Sequence, residues 1–196
     1  MHGMINRGLQ SYIRDIHGPD IWEETCELAK IPHCNFETML TYEDATTENL
    51  LDSFGDITRR SRDEILEDFG TYIVSETALS TVRRLLKFGG GSYVEFLQSL
   101  DFVYDRAKLA VPDLDIPTLK LETRDKQHFT LYARFQKRAF GAALLGLLRA
   151  LADDYNTLVS IEHSRNPLRH LDEDIFTITV LQENWNTRVG PELVCH

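Results

Sequence analysis

Gly89-Gly90-Gly91-Ser92-Tyr93-Val94-Glu95-Phe96-Leu97-Gln98-Ser99-Leu100-Asp101-Phe102-Val103-Tyr104 is the stretch on which the reading of this chain turns. The triple glycine ends one helix and starts a turn. Ser92 and Glu95 then have the Ser-x-x-Glu form of a capping box, which opens the next helix. Tyr93, Phe96, Leu97, Leu100, Val103, Tyr104 and Ala107 recur at helical spacing and define one apolar face. Asp101, Asp105, Arg106 and Lys108 take the other face. Spacing alone therefore points Tyr104 inward. Val111-Pro112-Asp113-Leu114-Asp115-Ile116-Pro117 closes the helix with a loop carrying two prolines.

Upstream of this stretch the period stays helical. Ile5, Leu9, Tyr12, Ile13 and Ile16 share a face that stops at His17-Gly18-Pro19. Ile21 to Lys30 forms a second helix and Thr47 to Phe54 a weaker third. A second capping box, Ser61 to Glu64, precedes the stripe Ile65, Leu66, Phe69, Tyr72 and Ile73. Leu79, Val82, Leu85 and Leu86 carry the pattern on to the glycines. Downstream of Pro117 the period changes to two: Leu119, Leu121 and Thr123, then Phe129, Leu131 and Ala133, with Asp125-Lys126 as the turn between them. Phe140 to Tyr155 returns to helix. Leu158 to His163 and Ile175 to Leu181 read as two further strands around the polar loop from Ser164 to Asp174. Helices followed by strand-strand-helix-strand-strand predict an α+β fold, a helical part (1–111) packed on a mostly antiparallel sheet part (112–196) in one domain with a continuous core.

The bulk numbers narrow the function classes. A length of 196 residues suits one compact domain, and 42% hydrophobic content suffices for a sizeable core. A formal net charge of −10 and a pI near 5.1 argue against a nucleic-acid surface or an anionic membrane as partner. No segment approaches the apolar length of a membrane span, and the N-terminus lacks a signal-peptide core, so a cytoplasmic protein is expected. Cys26, Cys34 and Cys195 are sparse, widely spaced and odd in number, which argues against a disulfide framework and predicts a reducing compartment. Hydrolase elbows, phosphate-binding loops and zinc-protease motifs have no match, and no enzymatic activity is expected. The triple glycine lacks the preceding strand and following Lys of a phosphate cradle. Asp153-Asp154 and Asp172-Glu173-Asp174 read as solvated charges.

The combination of the glycine turn, Phe96-Leu97-x-Ser99-Leu100-Asp101 and the Pro112-Asp113-Leu114-x-x-Pro117 loop resembles the haem-nitric-oxide/oxygen-binding (H-NOX) family. The opening Met4-Ile5-Asn6 with Leu9-Gln10 and the later Trp22 is similar to that family's first two helices, so the likeness runs from Met4 to about Leu181. The resemblance implies an H-NOX-like fold, haem as the family cofactor, a proximal His on the helix described above, and a Tyr-x-Ser-x-Arg clamp for the haem propionates. Here Tyr104 takes the place of the proximal His. The clamp reads Tyr132-Ala133-Arg134-Phe135-Gln136, so Tyr132 is kept, Arg134 stands at the Ser position and Gln136 at the Arg position. Arg134 or Arg138 could still meet a carboxylate.

Three roles for Tyr104 stay open: a core packing residue, a phenolate ligand to ferric haem, or a wall of a cavity for another small apolar ligand. A phenolate needs a nearby cation at neutral pH, and Arg106 is on the wrong face to supply it. None of His2, His17, His33, His128, His163, His170 and His196 lies on a clear apolar helix face, and each is expected to be exposed or in a loop. A vacated haem cavity would need filling, for which Tyr93, Phe96, Tyr104, Phe135 and Phe140 are candidates. The resemblance implies a signalling partner, a histidine kinase or a nucleotide or diguanylate cyclase, bound in trans. Together these features predict a stand-alone regulatory or sensory domain in which haem is absent or weakly bound.

Overall fold

The computed structural model describes residues 1–32, 34–75, 90–110, 116–135, 140–165 and 173–183. Helix α1 (Gly3–His17) is followed by α2 (Pro19–Leu28), α3 (Asp44–Thr58) and α4 (Arg62–Ser75). Next come α5 (Tyr93–Ser99), a 3-10 turn (Leu100–Phe102) and α6 (Val103–Ala110). The remainder is β1 (Thr118–Thr123), β2 (His128–Arg134), α7 (Gly141–Asp154), β3 (Leu158–Arg165) and β4 (Glu173–Gln182). The α+β expectation holds: one antiparallel sheet, in the order β1-β2-β4-β3, lies against helices. The stripe at 79–86, the proline loop at 111–115 and the tail beyond 183 lie outside the described residues.

Local chemistry explains the boundaries. At α4 the capping box is reciprocal: Ser61 N–H donates to Glu64 Oε2 at 2.8 Å, and Glu64 N–H returns to Ser61 Oγ at 3.4 Å. At α5 Ser92 Oγ accepts Glu95 N–H at 3.2 Å, while the Glu95 carboxylate takes Gly91 N–H at 2.7 Å. The β1–β2 hairpin is tied by Asp125, whose Oδ1 accepts the amides of Gln127 and His128 at 2.8 and 3.0 Å.

Two expectations are corrected. The helix from Ser92 does not run unbroken through Tyr104. A 3-10 turn interrupts it at Leu100–Phe102. There the Asp101 carboxylate accepts the Leu121 amide of β1 at 2.9 Å. Three residues wound at three per turn instead of 3.6 advance the following helix by about 60°. The second correction concerns the cysteines: Cys26 and Cys34 form a disulfide, their Cα atoms 6.0 Å apart.

Among the described residues the buried apolar side chains gather in two clusters. One gathers α1–α4 around Leu9, Tyr12, Ile13, Leu50, Phe54, Ile65 and Phe69. The other lies between the inner sheet face and α5 and α7, around Tyr93, Phe96, Leu131, Leu148, Phe176 and Ile178. They meet where α4 crosses α7. A Cβ on Gly70 would sit 1.9 Å from the Ala143 carbonyl oxygen, and one on Gly146 would sit 1.8 Å from that of Glu67. The backbones touch there, and only glycine permits it. Gly70→Ala or Gly146→Ala should therefore destabilise the fold by roughly 2 kcal/mol despite the better helix propensity of Ala, lowering Tm by about 4–8 °C. Gly91→Ala, whose Cβ would meet only the Glu95 carboxylate at an ordinary 3.7 Å, should stay within about 0.5 kcal/mol in the same thermal melts.

Two buried tyrosines set an alkaline limit. Burial pushes the Tyr12 phenol up to about 12 and raises that of Tyr93, whose hydroxyl donates to the Leu148 carbonyl at 3.1 Å. Both stay protonated when folded but ionise near pH 10 when unfolded, so stability present below pH 10 is lost as pH rises above it. Thermal melts from pH 8 to 11 should show that decline, and Tyr12→Phe should flatten it.

Candidate functional site

The period of two along β2 puts Leu131 and Ala133 into the core and Tyr132 and Arg134 onto the opposite, outer face. Register brings Lys120 beside Tyr132 and Thr118 beside Arg134 from β1, with Ile175 and Glu173 from β4 on the other side. With Glu122 these residues line an open groove of about 570 Å³.

The charges in the groove answer one another. Tyr132 Oη donates to Glu122 Oε2 at 3.3 Å, and Lys120 Nζ lies 2.8 Å from Glu122 Oε1. That contact holds the Glu122 carboxyl below its ordinary range and raises the Lys120 ammonium. Arg134 Nη2 reaches Glu173 Oε1 at 3.4 Å; Glu173 is 8% exposed and Arg134 about half. Two cations thus face two carboxylates, and among the described residues the groove has no surplus positive charge for an incoming carboxylate.

Tyr104 is brought to neither groove nor core. It is half-buried on α6, with Lys108 Nζ 5.9 Å from its ring centroid. The 60° advance at the 3-10 turn explains why the expected inward direction is only partly realised. Phe102 and Leu109, 65% and 86% exposed, flank it along the same segment. Arg138 and Gln136 lie outside the described residues. Of the candidate cavity fillers, Tyr93 and Phe96 are fully buried, while Phe135 and Phe140 are half-buried against different clusters.

Several charged residues that read as solvated are interior. Asp174 and Glu173 are adjacent in β4 and so point to opposite faces; both are buried. Asp174 Oδ1 lies 2.6 Å from His163 Nε2 and 3.6 Å from Arg165 Nε, against the first turn of α7 at Gly141. His163 itself stacks on Phe176 with centroids 4.7 Å apart. His17 also is packed, edge-on to Phe54 at 4.9 Å, and burial lowers its imidazole below the usual range. His2 caps α1 by accepting Met4 N–H. Except for the His2 cap, no local signal marked these residues, because their partners are distant in sequence: α3 for His17, and β2, β3 and β4 for Glu173, Asp174 and His163. His128 is exposed, as expected, and pairs with Asp125. Among the described residues no group of three His, Cys, Asp or Glu side chains is placed to hold a metal. None of the described helices is long and apolar enough to cross a membrane.

Comparison with known proteins gives this geometry a family. The profile described as haem-NO-binding matches residues 2–163. The chain belongs to the haem-NO-binding family. This is a family of NO- and O2-sensing domains related to soluble guanylate cyclase. Similar relatives include the Drosophila melanogaster soluble guanylate cyclase 89Da, 23% identical over 155 residues, 79% of this chain and 23% of that protein. The Caenorhabditis elegans soluble guanylate cyclase gcy-31 is 23% identical over 177 residues, 87% of this chain and 25% of its own length. The chain thus spans about a quarter of the curated relatives it matches. Among solved structures, the unliganded Fe(II) H-NOX protein from K. algicida superposes with a TM-score of 0.80 at 19% identity, covering 93% of this chain and 98% of that one.

The family implies haem, and the described residues do not fit it in the family's manner. Tyr132 and Arg134 of β2 are already engaged by Glu122 and Glu173. Helix α6 offers Tyr104 and no His. The Arg134–Glu173 pair is open to direct measurement. Arg134→Ala leaves a buried carboxylate without its partner and should cost about 1 kcal/mol in urea unfolding. Adding Glu173→Gln should recover most of that loss, a coupling that a double-mutant cycle reads.

Proposed function

We propose that this chain is a sensory or regulatory module of the haem-NO-binding family that works without haem, acting on a signalling partner in trans. The partner class suggested by the family is a histidine kinase or a cyclase making cyclic nucleotides or cyclic diguanylate. The observation that carries the reading is the internal pairing of the clamp strand: Tyr132 with Glu122 and Arg134 with Glu173. A propionate entering the groove would displace these carboxylates from their partners and meet like charge. The sequence resemblance, which sets Tyr104 at the position of the family's iron-binding His, adds to it. With neither anchor of the family's kind, the segment around α6 would move in response to another ligand or to the partner itself. The exposed Leu109 puts apolar surface on that segment.

A second reading has one observation in its favour. Lys108, close to the Tyr104 ring, is a cation of the kind that a phenolate ligand to ferric haem would require. Hemin titration with an absorption spectrum separates the two. The haem-independent reading expects no stoichiometric Soret species, and a Tyr104→His chain should gain at most weak binding while Glu122 and Glu173 hold the groove. One haem per chain with a Soret band that moves on adding nitric oxide or carbon monoxide would overturn it. Loss of that band in Tyr104→Phe would then assign the ligand. Native mass spectrometry of protein from its own cells tests a third outcome, a retained small apolar molecule.

A further inference from the structure

The segment between α2 and α3 is strapped across α1, and its contacts converge on Cys34. Trp22 Nε1 donates to the Cys34 carbonyl at 3.1 Å. The next residue, Asn35, accepts Arg7 Nη1 at 2.7 Å and Gln10 Nε2 at 3.2 Å, both from α1. Phe36 donates its amide to Gln10 Oε1 at 3.1 Å and buries its ring between Trp22 and Tyr42. Farther on, the Leu40 carbonyl accepts Gly3 N–H at 2.7 Å at the start of α1. The strap is thus held at one end by the α1 terminus and at the other by the Cys26–Cys34 bond.

The two sulfurs differ in access. Cys26 is 2% exposed on the inner face of α2, whereas Cys34 is half-buried and reachable from solvent. Cys34 Sγ also lies 3.5 Å from the Ile31 carbonyl oxygen, an acceptor for its S–H when the pair is reduced. Cys34 Sγ therefore has a partner in either state. The bond spans a sequence separation of only 8, the case in which loop closure stabilises least. Trp22, Cys26 and Phe36 belong to the α1–α4 cluster, and that cluster also holds Leu9, Tyr12, Phe54 and Phe69, which come from α1, α3 and α4 rather than from the strap. These are the features of a pair that can open while the protein stays folded.

We propose that Cys34 is a site of reversible thiolation by low-molecular-weight disulfides, with Cys26 as its resolving thiol. The Cys34 thiolate attacks one sulfur of the small disulfide, whose S–S bond breaks and releases one small thiolate, which takes up a proton. The Cys26 thiolate then attacks the Cys34 sulfur, forming the protein disulfide and releasing the second small thiol. Two protein thiols are oxidised and one small disulfide is reduced to two thiols. Excess small thiol runs the sequence backwards and frees the strap from α2.

The test uses the full chain carrying Cys195→Ala, equilibrated with glutathione at graded ratios of oxidised to reduced form. Intact mass and maleimide tagging read the state of the pair. The expected result is a dithiol–disulfide transition within the range of ratios, with Tm lower by about 4–8 °C in the dithiol form. Amide exchange at Phe36 should rise with reduction while that of Leu9 and Tyr12 does not. In Cys26→Ser the unresolved glutathione adduct should accumulate on Cys34, and in Cys34→Ser no adduct should form on Cys26. A pair that stays bonded in excess reduced glutathione is a permanent staple and overturns the proposal. A pair that stays dithiol in excess oxidised glutathione overturns it as well, as does an adduct on Cys26 in Cys34→Ser. The glutathione titration needs neither serine variant, so a variant that fails to fold leaves the test standing.

Discussion

Two helix backbones can touch only where neither carries a side chain, and the arrangement of this molecule depends on one such point. Gly70 on α4 and Gly146 on α7 let each backbone lie against the other's carbonyls. The edges of the crossing are closed by Thr71 Oγ1 donating to the Gly146 carbonyl at 3.4 Å and by the Arg149–Glu67 ion pair. Because the helices are so close, Val74 of α4 reaches the sheet cluster, and Ala142 of α7 reaches the helical one. Two cores that share few side chains are thereby held in one geometry. The cost of a helical glycine, about 1 kcal/mol against Ala, is offset by packing that no larger residue allows.

The placement of α7 carries over to the outer groove through a single strand. Asp174 sits against the first turn of α7, where the partial positive charge of the helix terminus suits a carboxylate. It is fixed there by His163 and Arg165. Its neighbour Glu173 must then face the other side of the sheet, where Arg134 lies opposite it. The groove's electrostatics are thus a consequence of where β4 begins. Lys120 and Arg134 contribute two positive charges, Glu122 and Glu173 two negative ones, and any anion entering must first displace a carboxylate already in place. Two propionates are best met by a surplus of positive charge, and among the described residues the groove's cations and carboxylates balance.

What the sequence discloses and what it conceals divide along the range of the interactions. The capping boxes at Ser61 and Ser92, the Asp125 hairpin and the change of period after Pro117 are local, and each is legible within a few residues. The glycine crossing is not: Gly70 and Gly146 look like weak points inside helical patterns until the facing helix is known. Nor are the burial of Glu173 and Asp174 or the pairing of Cys26 with Cys34, since composition marks acidic runs as solvated and argues against a disulfide framework among sparse cysteines. The candidate site is half legible. Alternation in β2 is enough to put Tyr132 and Arg134 on one face, but the acids that occupy them come from β1 and β4.

The break at Leu100–Phe102 joins these observations. A helix that continued unbroken would carry Tyr104 round with Phe96 and Leu97 into the core; the 3-10 turn leaves it at the boundary instead. The turn has a tertiary anchor, the Asp101 carboxylate on the Leu121 amide. Leu121 lies between Lys120 and Glu122, the two β1 residues whose side chains form one wall of the groove. The turn that leads into α6 is therefore tied to β1 by a charge-assisted hydrogen bond beside the core packing that takes in Leu100, Leu119 and Leu121. The next polar link along β1 is the contact of Glu122 with Tyr132, on the groove face of the same strand.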